Sequence, residues 1–215
     1  MDSSKIKYTR PLVDIPTFLK DPYYLGATCA NTYPHLVTAL EQLFSGNYQE
    51  AVFADDRATG KSYFAAIAMC RILYELSCME SPHRELGLSQ DSIIALVCMD
   101  SGVAARTCSL PAITAKVDAS PYFREHYLPF FTWSDLRFPN RVCVIAKSYG
   151  DHSVLGLNIY STWFENPSAV DTERYYHTIR RRMQSRFGNF GGKGGKLVTP
   201  APFTDAVKGL TMFGW

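Results

Sequence analysis

Residues 53–64 read FADDRATGKSYF, and the chemistry lies in their second half. Thr59-Gly60-Lys61-Ser62 is the end of a G-x-x-x-x-G-K-[ST] phosphate-binding loop. In such a loop the amides of Ala58 to Ser62 point at phosphates, aided by the N-terminus of the helix that follows. Lys61 reaches the β- and γ-phosphates, and the Ser62 hydroxyl holds Mg²⁺. Arg57, Ala58, Thr59, Gly60, Lys61 and Ser62 are therefore the candidate nucleotide-binding residues. Arg57 has two readings: an arginine finger in cis on the transferring phosphoryl group, or a salt bridge to Asp55 or Asp56.

The first half of the stretch departs from the pattern. Asp55 stands where the loop wants glycine, whose backbone turns where other residues resist. A carboxylate about 4 Å from a phosphate, at an effective dielectric near 20, repels it by on the order of 4 kcal/mol. Asp55→Gly is thus expected to tighten triphosphate binding. Hydrolysis also needs an acid at the end of a neighbouring strand, to organise the metal and to activate water. Two places compete: SIIALVCMD ends in Asp100, and LNIYSTWFEN runs through Phe164 into Glu165. For Asp100 the plain alternative is a helix cap.

These residues need a scaffold. Tyr48 to Ala54 reads as a strand, DDRATG as a loop, and Lys61 to about Leu76 as a helix with Phe64, Ile67, Ala68, Ile72 and Leu76 along one side. Ser92 to Met99, Arg141 to Ala146 and Leu157 to Phe164 are continuous apolar runs, the sign of strands buried on both faces. Helices are expected over Pro34 to Phe44, closed by Gly46, over Val103 to Val117, and over the basic stretch Val170 to Phe187. Residues 1–33, Pro121 to Pro139 and GNFGGKGGK read as irregular, and Leu197-Val198-Thr199 begins a last strand. Strands alternating with helices predict an α/β fold of the P-loop NTPase class, a mostly parallel sheet with helices on both faces. Residues 1–47 read as an irregular arm and helix packed on a single domain over 48–215.

Composition adds bounds. The 215 residues are 47% hydrophobic and 20% charged, with a formal net charge of +2, so overall charge calls for neither a nucleic-acid nor a membrane partner. The six cysteines form no C-x-x-C pair and read as small buried hydrophobes of a reducing compartment. His83, His126, His152 and His177 show no ligand spacing and read as surface or capping residues. MDSSKIKYTR has no apolar core of a signal peptide, and no run is long enough to span a membrane. Arg182 and Arg186 share a helix face; they read either as a solvated face or as a contact with DNA or a neighbouring subunit.

Taken in order, several segments resemble the ATPase domain of the large terminase subunit of tailed bacteriophages, the motor that packages DNA into capsids. DDRATGKS resembles that family's G-G-R-x-x-G-K-S, and ITAKVDASPYF its helix and Ser-Pro-aromatic turn. LRFPNRVCVIAKS followed by SVLGLNIYS resembles the strands leading to its acidic motif, and YYHTIRRRMQSRF the helix after it. The match runs from about Tyr48 to Thr199. It implies ATP and Mg²⁺ as cofactors, Glu165 as the catalytic acid that orients water, and Arg57 beside it, with Asp100 second. Phe164 stands where the family carries Asp, so Phe164→Asp is expected to restore the metal's second anchor. Thr199 matches the first hydroxyl of the family's coupling segment, and Ala201 breaks it.

Further expectations follow from the resemblance. The implied partners are double-stranded DNA, other copies of the chain, and a portal or small terminase subunit, in the cytoplasm of an infected or lysogenic bacterial host and without a membrane. The family's nuclease domain has no counterpart before Trp215, so the sequence reads as a fragment, a split gene product or a decayed copy. Alternatives stay open: a non-catalytic terminase-like binding or assembly module with an eroded site, or another P-loop enzyme such as a helicase.

Overall fold

The computed structural model describes residues 6–53, 60–101, 103–165, 170–199 and 210–214. The strands are β1 (Glu50–Phe53), β2 (Ile94–Asp100), β3 (Phe130–Phe131), β4 (Asp135–Phe138), β5 (Val142–Ser148), β6 (Asn158–Phe164), β7 (Leu197–Thr199) and β8 (Leu210–Phe213). They form one sheet in the order β3-β4-β5-β2-β6-β7-β1-β8. The central strands β5, β2, β6, β7 and β1 run parallel, while β3, β4 and β8 add antiparallel edges. The helices are α1 (Ile15–Lys20), α2 (Gly26–Cys29), α3 (Pro34–Phe44), α4 (Lys61–Cys78), α5 (Pro82–Glu85), α6 (Leu110–Ala119), α7 (Pro121–His126) and α8 (Val170–Phe187). The fold is α/β with a mostly parallel sheet, as its apolar runs require.

Alternation along β2 separates the two faces. Ile94, Leu96 and Cys98 join the larger core with α4 and α6; Ala95, Val97 and Met99 join a smaller cluster with Tyr175, Ile179 and Met183 of α8. Both faces of β2 are thus covered, and every residue of the strand is buried. That burial is why its sequence is a continuous apolar run rather than an alternating one.

The amino-terminal segment differs from the irregular wrap expected. It forms α1 and α2, and Phe18, Leu19, Leu25 and Cys29 enter the main core. The reason lies in α4, which is buried without interruption from Phe64 to Tyr74. A helix apolar on all sides needs a second layer over it. Arg71 of α4 joins the two layers: its guanidinium donates to the Val13 carbonyl at 2.7 Å, pairs with Glu75 at 2.9 Å, and lies over the Phe18 ring.

Other segments also depart from expectation. Pro121 to Pro139 contains α7 and the β3–β4 hairpin, which extends the sheet from β5. The helix expected from Val103 is split: a π turn over Ala105–Ser109 precedes α6, where Pro111 supplies no amide to the preceding turn. Gly188–Lys193 is a 3₁₀ turn. Strand β8 pairs antiparallel with β1, and only tertiary pairing reveals it. His83 is buried, with Nε2 2.7 Å from the Ser92 carbonyl, and Cys108 is exposed whereas the other five cysteines are buried. Among the described residues, no helix is long and apolar enough to cross a membrane.

Candidate functional site

Three elements converge at the carboxyl edge of the sheet: the end of β2, the end of β6 and the first turn of α4. Gly60 opens α4 with φ 83°, a left-handed conformation that side-chain-bearing residues resist. A Cβ added there would stand 3.0 Å from Leu36 Cδ1. Lys61 and Ser62 are the first two residues of the helix. Asp100 ends β2, and Glu165 follows directly on β6.

The contacts at Glu165 define the geometry. Ser62 Oγ donates to Glu165 Oε1 at 2.7 Å, and Trp163 Nε1 donates to Oε2 at 2.8 Å. The Glu165 amide donates to the Met99 carbonyl at 2.8 Å, and the Tyr149 hydroxyl donates to the Glu165 carbonyl. Burial pushes the Glu165 carboxyl up from the usual carboxylate range, and the nearby charge of Asp100 adds to this. The Ser62 and Trp163 donors and the Lys61 charge oppose it. Asp100 is buried; its Oδ1 accepts from the Ser101 amide at 2.6 Å, and its carbonyl accepts from the Tyr149 amide at 3.1 Å.

A cavity of about 470 Å³ opens beside these groups, bounded by Ser62 and Tyr63 of α4, by Asp100, Trp163 and Glu165, and by Ser109 and Lys116 of the α6 region. Its volume suits a small ligand. The Lys116 ammonium is 4.5 Å from the Tyr63 ring centroid, and the buried Ser109 hydroxyl has no hydrogen-bond partner among the described residues. The oxygen donors Ser62 and Glu165 suit a hard cation such as Mg²⁺, which keeps several waters and shares phosphate oxygens. Among the described residues, no three His, Cys, Asp or Glu side chains group to hold an ion unaided, so phosphate oxygens would complete such a site.

Of the residues singled out in the sequence, Ser62 and Glu165 are in direct contact, Lys61 adjoins them in the chain, and Asp100 lines the same cavity. Arg57, Ala58 and Thr59, like Asp55 and Asp56, lie outside the described residues. Thr199 ends β7, between β1 and β6, with a buried hydroxyl that has no hydrogen-bond partner among the described residues. Ala201 lies outside the described residues.

Phe164 is on the other face of the sheet. Trp163 belongs to the core with α4, whereas Phe164 belongs to the cluster with α8, its ring 5.5 Å from Tyr176 and 6.3 Å from Tyr149. Arg182 and Arg186 are at the opposite end of β6. They border a 220 Å³ pocket with Asn158, whose side-chain carbonyl accepts from Arg186. The length of the strand sets them roughly 20 Å from Glu165. Arg180 pairs with the buried Glu50 at 2.8 Å.

Trp163, Tyr149 and Lys116 were not legible as site residues. Trp163 carried one signal: it is two residues before Glu165 and so shares its side of the strand. Tyr149 and Lys116 reach the site from separate elements and left no trace in spacing. No protein-family model matches the chain, and no curated protein matches it significantly.

Proposed function

We propose that this chain is a P-loop ATPase domain of the terminase large-subunit type, in which ATP hydrolysis drives movement of double-stranded DNA. One observation carries the reading: the Ser62–Glu165 hydrogen bond ties the first turn of the loop helix to the acid at the end of β6. Strand β7 lies between the loop strand β1 and β6, which suits Thr199 for coupling events at the two strand ends. On this reading the amides of Ala58 to Ser62 hold the phosphates. Lys61 and Arg57 neutralise the β- and γ-phosphate charge. Mg²⁺ bound at Ser62 and the phosphates would offset charge on the transferring group. The chain acts with other copies of itself and with a portal or small terminase subunit, in a bacterial host.

A second reading, a terminase-like module that binds nucleotide without brisk turnover, is favoured by Phe164. An apolar ring stands where the family carries an acid, and it faces away from Ser62. Equilibrium titration of the full chain with a fluorescent ATP analogue, with and without Mg²⁺, tests the shared claim. Lys61→Ala is expected to weaken binding by about tenfold or more, since one phosphate–ammonium pair is worth at least about 1.4 kcal/mol in such a site. Equal affinity for both proteins, or no binding by either, refutes nucleotide binding at this loop. Steady-state phosphate release then separates enzyme from module.

A further inference from the structure

We propose that Glu165 is the metal-side positioning residue of this site, bracing the Ser62 hydroxyl, and that Asp100 orients the attacking water. This rests on the ATPase reading above and reassigns roles within it. In P-loop ATPases the metal is held by the loop Ser or Thr together with an acid at the end of the neighbouring strand. Here the acid bonded to Ser62 is Glu165 itself, at 2.7 Å. Its other oxygen is held by the Trp163 indole at 2.8 Å, and its backbone is tied to β2 by the bond to Met99. A carboxylate engaged at both oxygens is built to hold a position rather than to collect a proton. Phe164 cannot share that task, because its ring is directed to the α8 face.

The residue after Glu165 is Asn166, an amide that cannot accept water's proton. Among the described residues that line the cavity, Asp100 is the other carboxylate. It ends β2, whose register pairs Met99 with Phe164, so Asp100 and Glu165 follow paired residues on adjacent strands. Both line the same cavity. The step balances as ATP plus water giving ADP plus phosphate. The water oxygen bonds to the γ-phosphorus, and the bond to the β-phosphate bridging oxygen breaks with its electron pair on ADP. The water proton passes to Asp100 and then to the released phosphate.

The test uses the full chain, a fluorescent non-hydrolysable ATP analogue, and Mg²⁺ or Mn²⁺ as the metal. The readout is the factor by which metal raises nucleotide affinity. Glu165→Gln keeps the shape and the acceptor for Ser62 but loses the charge, and is expected to reduce that factor by about tenfold. Ser62→Ala should do the same, and the double variant should lose no more than Ser62→Ala alone, since the two act as one unit. Asp100→Asn should leave the factor within about twofold yet slow single-turnover phosphate release by about a hundredfold or more. Equal thermal melting of the variants shows that folding is not the cause.

An unchanged factor in Glu165→Gln, or additive losses in the double variant, overturns the role of Glu165. Loss of the factor in Asp100→Asn overturns the role of Asp100. So does phosphate release that Asp100→Asn leaves unchanged, or that the unmodified chain lacks. Failure of the unmodified chain to bind nucleotide with or without metal instead refutes the ATPase reading itself.

Discussion

Phe164→Asp is the change that a motif comparison recommends, and the structure predicts that it damages the protein. Phe164 is 0% exposed and packs with Tyr149 and Tyr176 in the apolar cluster beneath α8. Removing a buried phenyl group costs about 3–5 kcal/mol in comparable cores. The carboxyl put in its place either stays neutral or carries an unpaired buried charge, which adds about 1–3 kcal/mol. The sum, about 4–8 kcal/mol, rivals the whole stability of many domains. With a urea dependence of about 2.5 kcal/mol per molar, the denaturation midpoint should fall by about 2–3 M. Equilibrium urea unfolding of the two proteins, followed by far-ultraviolet circular dichroism, measures this, with Phe164→Leu as a milder control. An unchanged midpoint together with tighter Mg²⁺-dependent nucleotide binding would refute the reasoning. It would mean that residue 164 reaches the Ser62 side after all.

Two further perturbations probe buried charges away from the site. Lys196 is buried with its ammonium 2.6 Å from the Tyr48 carbonyl, and burial lowers its pKa from 10.5 to about 8. The unfolded chain therefore binds more protons between pH 8 and 10.5, so stability should rise with pH across that window, and below pH 8 the folded state bears a cost of about 3 kcal/mol. Lys196→Met should flatten that rise and stabilise the protein at pH 7, as urea midpoints at pH 7, 9 and 10.5 will show; a steeper pH dependence in the variant would contradict it. Arg180→Met removes a charged donor from Glu50, which is 1% exposed and also accepts from Tyr176. The expected loss is about 2 kcal/mol, or about 6 °C in melting temperature, read by calorimetry.

The local rules already present in the sequence determined much of the framework. The apolar runs of β2 and β6 declared strands buried on both faces, and the helix from Lys61 declared itself by its periodicity. The loop letters up to Gly60-Lys61-Ser62 announced a helix start, which the left-handed backbone of Gly60 provides. Strand alternation also put Trp163 and Glu165 on one side and Phe164 on the other. What alternation leaves open is which side meets α4. That depends on how β6 pairs with β2, whose register shifts between Ala95 and Leu96, and on the long-range packing of α4 against the sheet.

The same limit hid the helical amino-terminal layer, because its necessity lies in the fully buried α4 and not in its own Pro- and Tyr-rich residues. It hid β8 as well, four residues whose strand character comes from the β1 edge they complete. Acids close in space but separate in sequence, Asp100 and Glu165, acquire their different surroundings only when two parallel strands end side by side. Burial, hydrogen-bond donors and neighbouring charge set a carboxylate's role, and those are properties of the assembled fold.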